Sequence, residues 1–303
     1  PTTNPRDEFF VFGGHRILTQ SKARKLKGKK IIYDAHEDLP RHIIEKEWLL
    51  WMPFFLRKII SIFIEFFLLL ALKFYDEVIT PHEHVNDHFI RNNINSSLIA
   101  NFPIIKSFNT HSFEEYKNRE DALCYTGTVY SYSNQEEILQ AMKDFEFLKY
   151  KIAGYIEPNH LKSLAELENF NSLDYLGRIP WKRLNEFYDK TTIGIVIYDY
   201  KLNLGNNLGS YGTNKIFEYM EAGLPLICTD FILWKKIIDK YKCGICVEPR
   251  SVFQIREAIK YLISNKKIAY QMGQNARKAV EKEFNWHSQE KEYTDLFKRH
   301  AKK

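Results

Sequence analysis

The strongest constraint on the fold is a rhythm in the second half of the chain. Short apolar runs end on a glycine, and each is followed by a stretch with helical periodicity. Residues 122–125 run into Gly127, 150–153 into Gly154, and 173–176 into Gly177. Helical patterns at 135–147, 160–167 and 181–189 separate them, and an apolar strand at 192–198 follows. A loop rich in glycine and asparagine then leads to a helix at 215–222, strands at 225–229 and 245–247, and helices at 252–264, 267–283 and 288–300. Strands of this buried character, alternating with helices, predict an α/β fold built on a parallel, doubly wound sheet. In such a sheet ligands sit outside the carboxyl ends of the strands, so the loops after Asp34, Tyr125, Leu176 and Tyr198 are where function is expected.

The first half is less regular. A strand at 30–34 ends in Ala35-His36-Glu37-Asp38-Leu39-Pro40, a strand at 77–80 leads to a helical stretch through Arg91, and a short strand at 97–100 follows. The polar, aperiodic segment 107–119 marks a domain boundary. The expected division is an N-terminal domain over 1–118, a second domain over 119–285, and a C-terminal helix over 286–303. A length of 303 residues is enough for two such domains. The opening Pro-Thr-Thr-Asn-Pro lacks a methionine, so sequence is expected before it.

Residues 48–72 are the oddest stretch, nearly all apolar and led by Trp48, Trp51, Phe54 and Phe55. Pro53, Arg57, Lys58 and Glu65 interrupt the run, which argues against a membrane span. Two readings stay open: a helix buried between layers, or an interfacial helix with its aromatic side in lipid. The basic cluster Lys22, Arg24, Lys25, Lys27, Lys29 and Lys30 before it favours an anionic surface. The net charge of +6 is modest and unlike that of a dedicated nucleic-acid binder. Four cysteines, of which Cys243 and Cys246 form a lone Cys-x-x-Cys without zinc-completing partners, imply packing residues and a reducing compartment.

The loop after Tyr198 carries the most chemistry. Its glycines and asparagines open a helix whose free N–H groups suit an anion. Lys215 falls in the first turn, where the helix dipole disfavours a cation unless a phosphate is present. Glu218, three residues on, shares its face. Together they could hold a diphosphate and a ribose diol; a surface ion pair is the alternative reading of the same spacing. The sequence has neither a Gly-x4-Gly-Lys-Ser/Thr loop nor a Gly-x-Gly-x-x-Gly turn after a strand, which removes the main support for ATPase and dehydrogenase readings.

Gly212-Thr-Asn-Lys-Ile-Phe-Glu-Tyr-Met-Glu-Ala-Gly-Leu-Pro-Leu-Ile227 resembles the signature of retaining glycosyltransferase family 4 (group 1), PNK-x-FEYM-A-x-G-x-P-V-I. In the same order, Gly177-Arg-Ile-Pro180, Cys243-Gly-Ile-Cys-Val-Glu-Pro249 and Phe284-Asn-Trp286 resemble other family segments. In the first half, Ile31-Ile-Tyr-Asp-Ala-His-Glu-Asp-Leu-Pro40 resembles VIYDVHEDxP, and Asn101-Phe-Pro103 its N-x-P.

The resemblance implies the GT-B architecture, two Rossmann-like domains with a cleft between them and a last helix crossing back to the first; since such domains carry several strands before the one matching 30–34 and only about 30 residues precede it here, the first domain is expected to be incomplete. It implies a retaining transfer from a nucleotide-diphosphate sugar with no cofactor and no obligatory metal; no Asp-x-Asp triplet occurs in the sequence. The implied catalytic residues are His36 and Glu218. The implied donor-binding residues are Gly127, Arg178, Ile179, Tyr198, Gly212, Thr213, Asn214, Lys215 and Glu218. Trp48, Trp51, Phe54 and Phe55 would lie on the acceptor side, facing a membrane and a saccharide or polyprenyl-linked acceptor. The expected setting is polysaccharide synthesis, cytoplasmic and peripheral at the inner face of the plasma membrane. The chain departs from the family where a Glu-x7-Glu pair would put its first glutamate, since position 210 is Ser210. The loop after Gly127 also lacks the family's common arginine and lysine. A sugar-nucleotide epimerase of the same fold, with Glu37 and Asp38 as acid and base, and a catalytically silent membrane-associated scaffold are the rival readings.

Overall fold

A computed structural model describes residues 9–13, 30–105 and 111–301. The basic residues 22–29, Lys302 and Lys303 lie outside these described residues.

The described residues form two parallel sheets. The first has four strands in the order β1-β2-β3-β4: β1 (Phe9–Gly13), β2 (Lys30–Asp34), β3 (Glu77–Thr80) and β4 (Ser96–Leu98). The sequence reading did not name β1, which pairs in register with β2 from Phe9 opposite Lys30 to Gly13 opposite Asp34. Among the described residues, three α-helices belong to this half: α1 (Leu39–Glu45), α2 (Phe54–Leu72) and α3 (Glu83–Arg91). The loop expected after Asp34 is mostly α1, started by Asp38, whose carboxylate accepts the Arg41 N–H. The small core joins Ile31, Tyr33, Leu68, Leu72, Val78, Val85 and Phe89.

The second sheet has six strands in the order β10-β9-β8-β5-β6-β7. They are β5 (Ala122–Thr128), β6 (Lys149–Tyr155), β7 (Leu173–Tyr175), β8 (Ile193–Val196), β9 (Leu226–Thr229) and β10 (Gly244–Val247). β8 and β9 are buried at every position, as strands covered on both faces must be. The covering helices are α4 (Phe113–Lys117), α5 (Gln135–Ala141), α6 (Pro158–Ala165), α7 (Leu184–Tyr188), α8 (Asn214–Glu221), α9 (Ile232–Tyr241), α10 (Val252–Ser264) and α11 (Lys266–Lys282). α5 packs on α10 and α8 on α11. Chain order reverses between β5 and β8, the switch point where doubly wound sheets open a crevice.

Segment 107–119, read as a featureless boundary, contains α4, held by a Ser112–Glu115 capping box. Tyr116 of α4 packs in the core of the second sheet, and its hydroxyl donates to the Thr192 carbonyl at 3.0 Å. The helix therefore lies with the second half, although the sequence division places it in the first. The last helix, α12 (Trp286–Ala301), crosses to the first sheet, where Leu296 joins Ile32, Ile79 and Ile99. His300 Nε2 there lies 2.8 Å from Glu77 Oε2.

α2 is not the buried helix that one sequence reading allowed. Only Ser61, Leu68, Ala71 and Leu72 are buried, whereas Phe55, Ile59, Ile62, Phe63, Phe66, Phe67 and Leu70 are exposed. Among the described residues, no helix is long and apolar enough to cross a membrane.

Candidate functional site

A cleft of about 450 Å³ opens at the switch point, at the carboxyl ends of β5 and β6 and the amino end of α8. Gly127, Arg178, Ile179, Asn214, Lys215 and Glu218, all named from sequence, line it.

Lys215 is the centre of the site. Its ammonium lies over the Tyr125 ring at 5.3 Å and the Tyr198 ring at 5.9 Å, which places the charge on aromatic faces. Among the described residues, no carboxylate pairs with it. The helix start beside it is bare as well, because Thr213 occupies the N-cap without a side-chain capping bond. A lone cation next to uncapped N–H groups forms a pocket for an anion. Gly127 permits the close approach: its φ is +92°, and a Cβ there would meet Lys215 Cε and Nζ at 3.2 Å.

Glu218 follows on the same face of α8. The Tyr188 hydroxyl donates to its Oε2 at 3.2 Å, leaving the rest of the carboxylate toward the cleft. Burial first, then the nearby Glu218 charge, pushes the Tyr188 pKa well above that of an ordinary tyrosine, so this donor stays protonated. Arg178 stacks over the Tyr155 ring at 5.2 Å, and Trp181 stands 62% exposed on the same wall beside Ile179. Sequence reasoning missed Tyr155, Trp181 and Tyr188; Trp181 directly follows the Gly177–Pro180 segment and opens the turn Trp181–Arg183, a position at the strand end that could have marked it.

Tyr198 requires a correction. It is buried at 3% exposure with its hydroxyl 3.2 Å from that of Tyr125, so it lies behind Lys215 and does not line the cleft. Gly212 and Thr213 are also absent from the wall.

His36 stands apart from this wall. Its Nε2 is 2.9 Å from Asp34 Oδ2, and its ring is exposed. Burial raises the Asp34 pKa, with His36 acting in the opposite direction. The two loops nevertheless meet, because the His36 carbonyl lies 3.0 Å from His82 Nε2 and His82 Nδ1 lies 2.8 Å from Ser210 Oγ. Two carboxylates of the first half also reach the loop before α8. Glu83 accepts the Tyr211 N–H at 3.2 Å, and Glu45 accepts those of Leu202 and Asn203 at 3.0 and 3.3 Å. A second, larger cleft of about 790 Å³ lies between the halves, with Glu45, Trp48, Tyr130, Tyr132, Glu157 and Lys201 among its walls. It adjoins the first at Thr128 and Tyr155.

Two parallel sheets with a cleft between them and a last helix returning to the first sheet define a GT-B-like protein. Sucrose-phosphate synthase from Thermosynechococcus elongatus has this fold, with a TM-score of 0.71 over 97% of this chain and 74% of that one at 15% identity. HepE of Anabaena in complex with UDP-glucose gives a TM-score of 0.70 over 95% and 78% at 13% identity. A glycosyltransferase from Rickettsia africae gives 0.67 over 96% and 76% at 15% identity. Residues 107–279 match Glycosyl transferases group 1, and the chain belongs to that family. An uncharacterized glycosyltransferase of Methanocaldococcus jannaschii is 28% identical over 197 residues, 61% of this chain and 47% of that protein. The chain thus spans about half the length of that curated relative.

Proposed function

We propose that this protein is a retaining, metal-independent glycosyltransferase that moves a sugar from a nucleoside diphosphate donor onto a lipid-linked saccharide at a membrane surface. The observation that carries the reading is Lys215, without a carboxylate partner among the described residues, set beside the bare start of α8 with Glu218 one turn on, both in one cleft. Lys215 and the helix N–H groups hold the diphosphate, Glu218 holds the ribose diol, and the base lies against Ile179 and Trp181. The acceptor hydroxyl attacks the anomeric carbon on the face the diphosphate leaves. The bond to the phosphate oxygen breaks, its electron pair stays with the diphosphate, and that oxygen takes the hydroxyl proton. Positive charge preset where the phosphate charge grows lowers the barrier. His36 positions the donor sugar from the first half.

The membrane part of the reading is supported by α2. Its exposed residues Phe55, Ile59, Ile62, Phe66 and Leu70 recur at helical spacing, flanked by exposed Lys58 and Lys73. An aromatic face with basic residues at its margins suits the interface of an anionic bilayer. Trp48, 67% exposed next to this helix, also lines the larger cleft, which would bring an acceptor from the lipid plane to the donor.

The test is thermal stabilisation by UDP, GDP, dTDP and CMP. One nucleotide should stabilise the wild type, by about 2.7 kcal/mol at a hundredfold excess over Kd, and not Glu218→Ala. Failure of all of them would sink the donor reading.

A further inference from the structure

His82 joins the two halves of the site through a hydrogen-bond chain from the His36 carbonyl to Ser210. It is the N-cap residue of α3, with its side chain free of any capping bond. The His36 carbonyl can only accept, so the proton of the neutral ring sits on Nε2, 3.0 Å away. Nδ1 then accepts from the Ser210 hydroxyl at 2.8 Å, and Ser210 Oγ in turn accepts the Gly212 N–H at 2.9 Å. The Glu83 carboxylate also faces the Ser210 hydroxyl, so Nδ1 and Glu83 share its one proton. Burial lowers the pKa of His82, which favours this neutral ring.

The packing around the ring fits the same arrangement. A Cβ at Gly212 would meet His82 Cε1 at 2.7 Å, so the absent side chain makes room for the imidazole. The next residue, Glu83, accepts from Tyr211 N–H, so residues 82 and 83 grip 210–212 from the first half of the chain. Thr213, Asn214 and Lys215 follow this turn directly. Ser210 stands where the family pattern places a glutamate. A carboxylate there would leave the ring facing acceptors at both nitrogens, which only a protonated imidazole satisfies.

We propose that His82 is a positioning residue that ties the His36 loop to the Ser210–Gly212 turn, so that the first half of the protein sets the place of Lys215. The role of Lys215 as the diphosphate holder rests on the reading under Proposed function; the tie itself does not.

The experiment uses four single variants of the full chain and the double variant His82→Ala/Ser210→Ala. His82→Asn keeps an acceptor near the Nδ1 position, His82→Gln keeps a donor near the Nε2 position, and His82→Ala and Ser210→Ala remove both partners in turn. Amide hydrogen exchange on the ligand-free proteins comes first. Gly212 should exchange faster in His82→Ala, Ser210→Ala and His82→Gln and stay near wild type in His82→Asn. Titration with UDP, or with whichever of GDP and dTDP binds the wild type, comes second. His82→Ala and Ser210→Ala should each weaken the diphosphate by about tenfold, the double variant no further, and the matching nucleoside monophosphate far less. Unchanged exchange at Gly212 in His82→Ala overturns the tie. Faster exchange with unchanged diphosphate binding overturns the positioning role and leaves a structural bridge. A wild type that binds no nucleoside diphosphate overturns the donor reading alone, and the exchange result still decides the tie.

Discussion

The ammonium of Lys215 lies across Gly127, at 3.2 Å from where a Cβ on that residue would stand. Two elements far apart in sequence, the end of β5 and the first turn of α8, are therefore fitted to each other at the switch point. Gly127→Ala should act twice, straining a backbone at φ +92° and displacing the cation. The strain alone should cost about 1–2 kcal/mol. Gly223→Ala is the control: φ is +72° there, yet the nearest atom to its Cβ would be 3.9 Å away. Both variants should melt earlier, and only Gly127→Ala should also lose affinity for the nucleoside diphosphate. Equal nucleotide affinities would mean that Lys215 does not depend on this contact.

Lys215 and Glu218 should fail in different ways. Lys215→Met removes a charge-assisted contact worth about 1.5–3 kcal/mol, so diphosphate binding should weaken by roughly 10- to 150-fold and lose most of its salt dependence. Glu218→Gln keeps the shape of the side chain but weakens its grip on a diol. The wild type should prefer a ribonucleoside diphosphate to its 2′-deoxy analogue, and Glu218→Gln should narrow that preference. Isothermal titration reads both. A preference unchanged in Glu218→Gln would move the ribose contact elsewhere.

Much of the second half was legible because its strands are short apolar runs, three of them closed by a glycine at Gly127, Gly154 and Gly177, with β8 and β9 buried throughout. Two short helices, α1 and α4, were not: their seven and five residues are marked mainly by the caps at Asp38 and Ser112, whereas the equally short α5 and α7 each follow a glycine-closed strand, where a helix is expected. α9 was overlooked although Trp234, Ile237 and Ile238 follow the i, i+3, i+4 pattern of its buried face. At the site, the helix start and a shared face pointed to Lys215 and Glu218, and both line the one cleft. Tyr198 was misjudged because its place at a strand end does not reveal which way the ring points. His82 was unreadable, since its partner Ser210 is 128 residues away and Ser210 stood out only for the glutamate it replaces, not for any partner.

Asp38 gives a prediction that turns on pH. Burial alone would raise its carboxyl pKa, but His84 and Arg41 outweigh burial and hold it below the ordinary value. Arg41 Nη1 is 2.6 Å from Asp38 Oδ2, and the Arg41 N–H caps onto Oδ1 at 3.3 Å. A carboxyl with a lowered pKa in the folded state adds stability that is complete above its unfolded pKa of about 3.9 and fades as pH falls through the folded value. Asp38→Asn should therefore cost about 1–3 kcal/mol at pH 7. The gap between the two melting temperatures should close as the pH is lowered below about 4. A gap of constant size down to pH 2 would show that the charge of Asp38 contributes nothing.

The exposed face of α2 separates membrane binding from folding. Phe55, Phe63, Phe66 and Phe67 are each 57–61% exposed, so replacing them with serine removes little buried surface and should leave the melting temperature nearly unchanged. If the face lies in lipid, each of these side chains instead gives up apolar area to the bilayer, and the losses add across the helix. The quadruple variant should lose most of its sedimentation with vesicles containing anionic phosphatidylglycerol, whereas Lys58→Glu alone should weaken it by less and only at low salt. Nucleotide binding should be unaffected, because none of these residues lines the donor cleft. Vesicle binding equal to wild type in the quadruple variant would place the membrane contact elsewhere. A rise in soluble monomer at the expense of dimer would instead identify a second copy of the chain as what covers the helix.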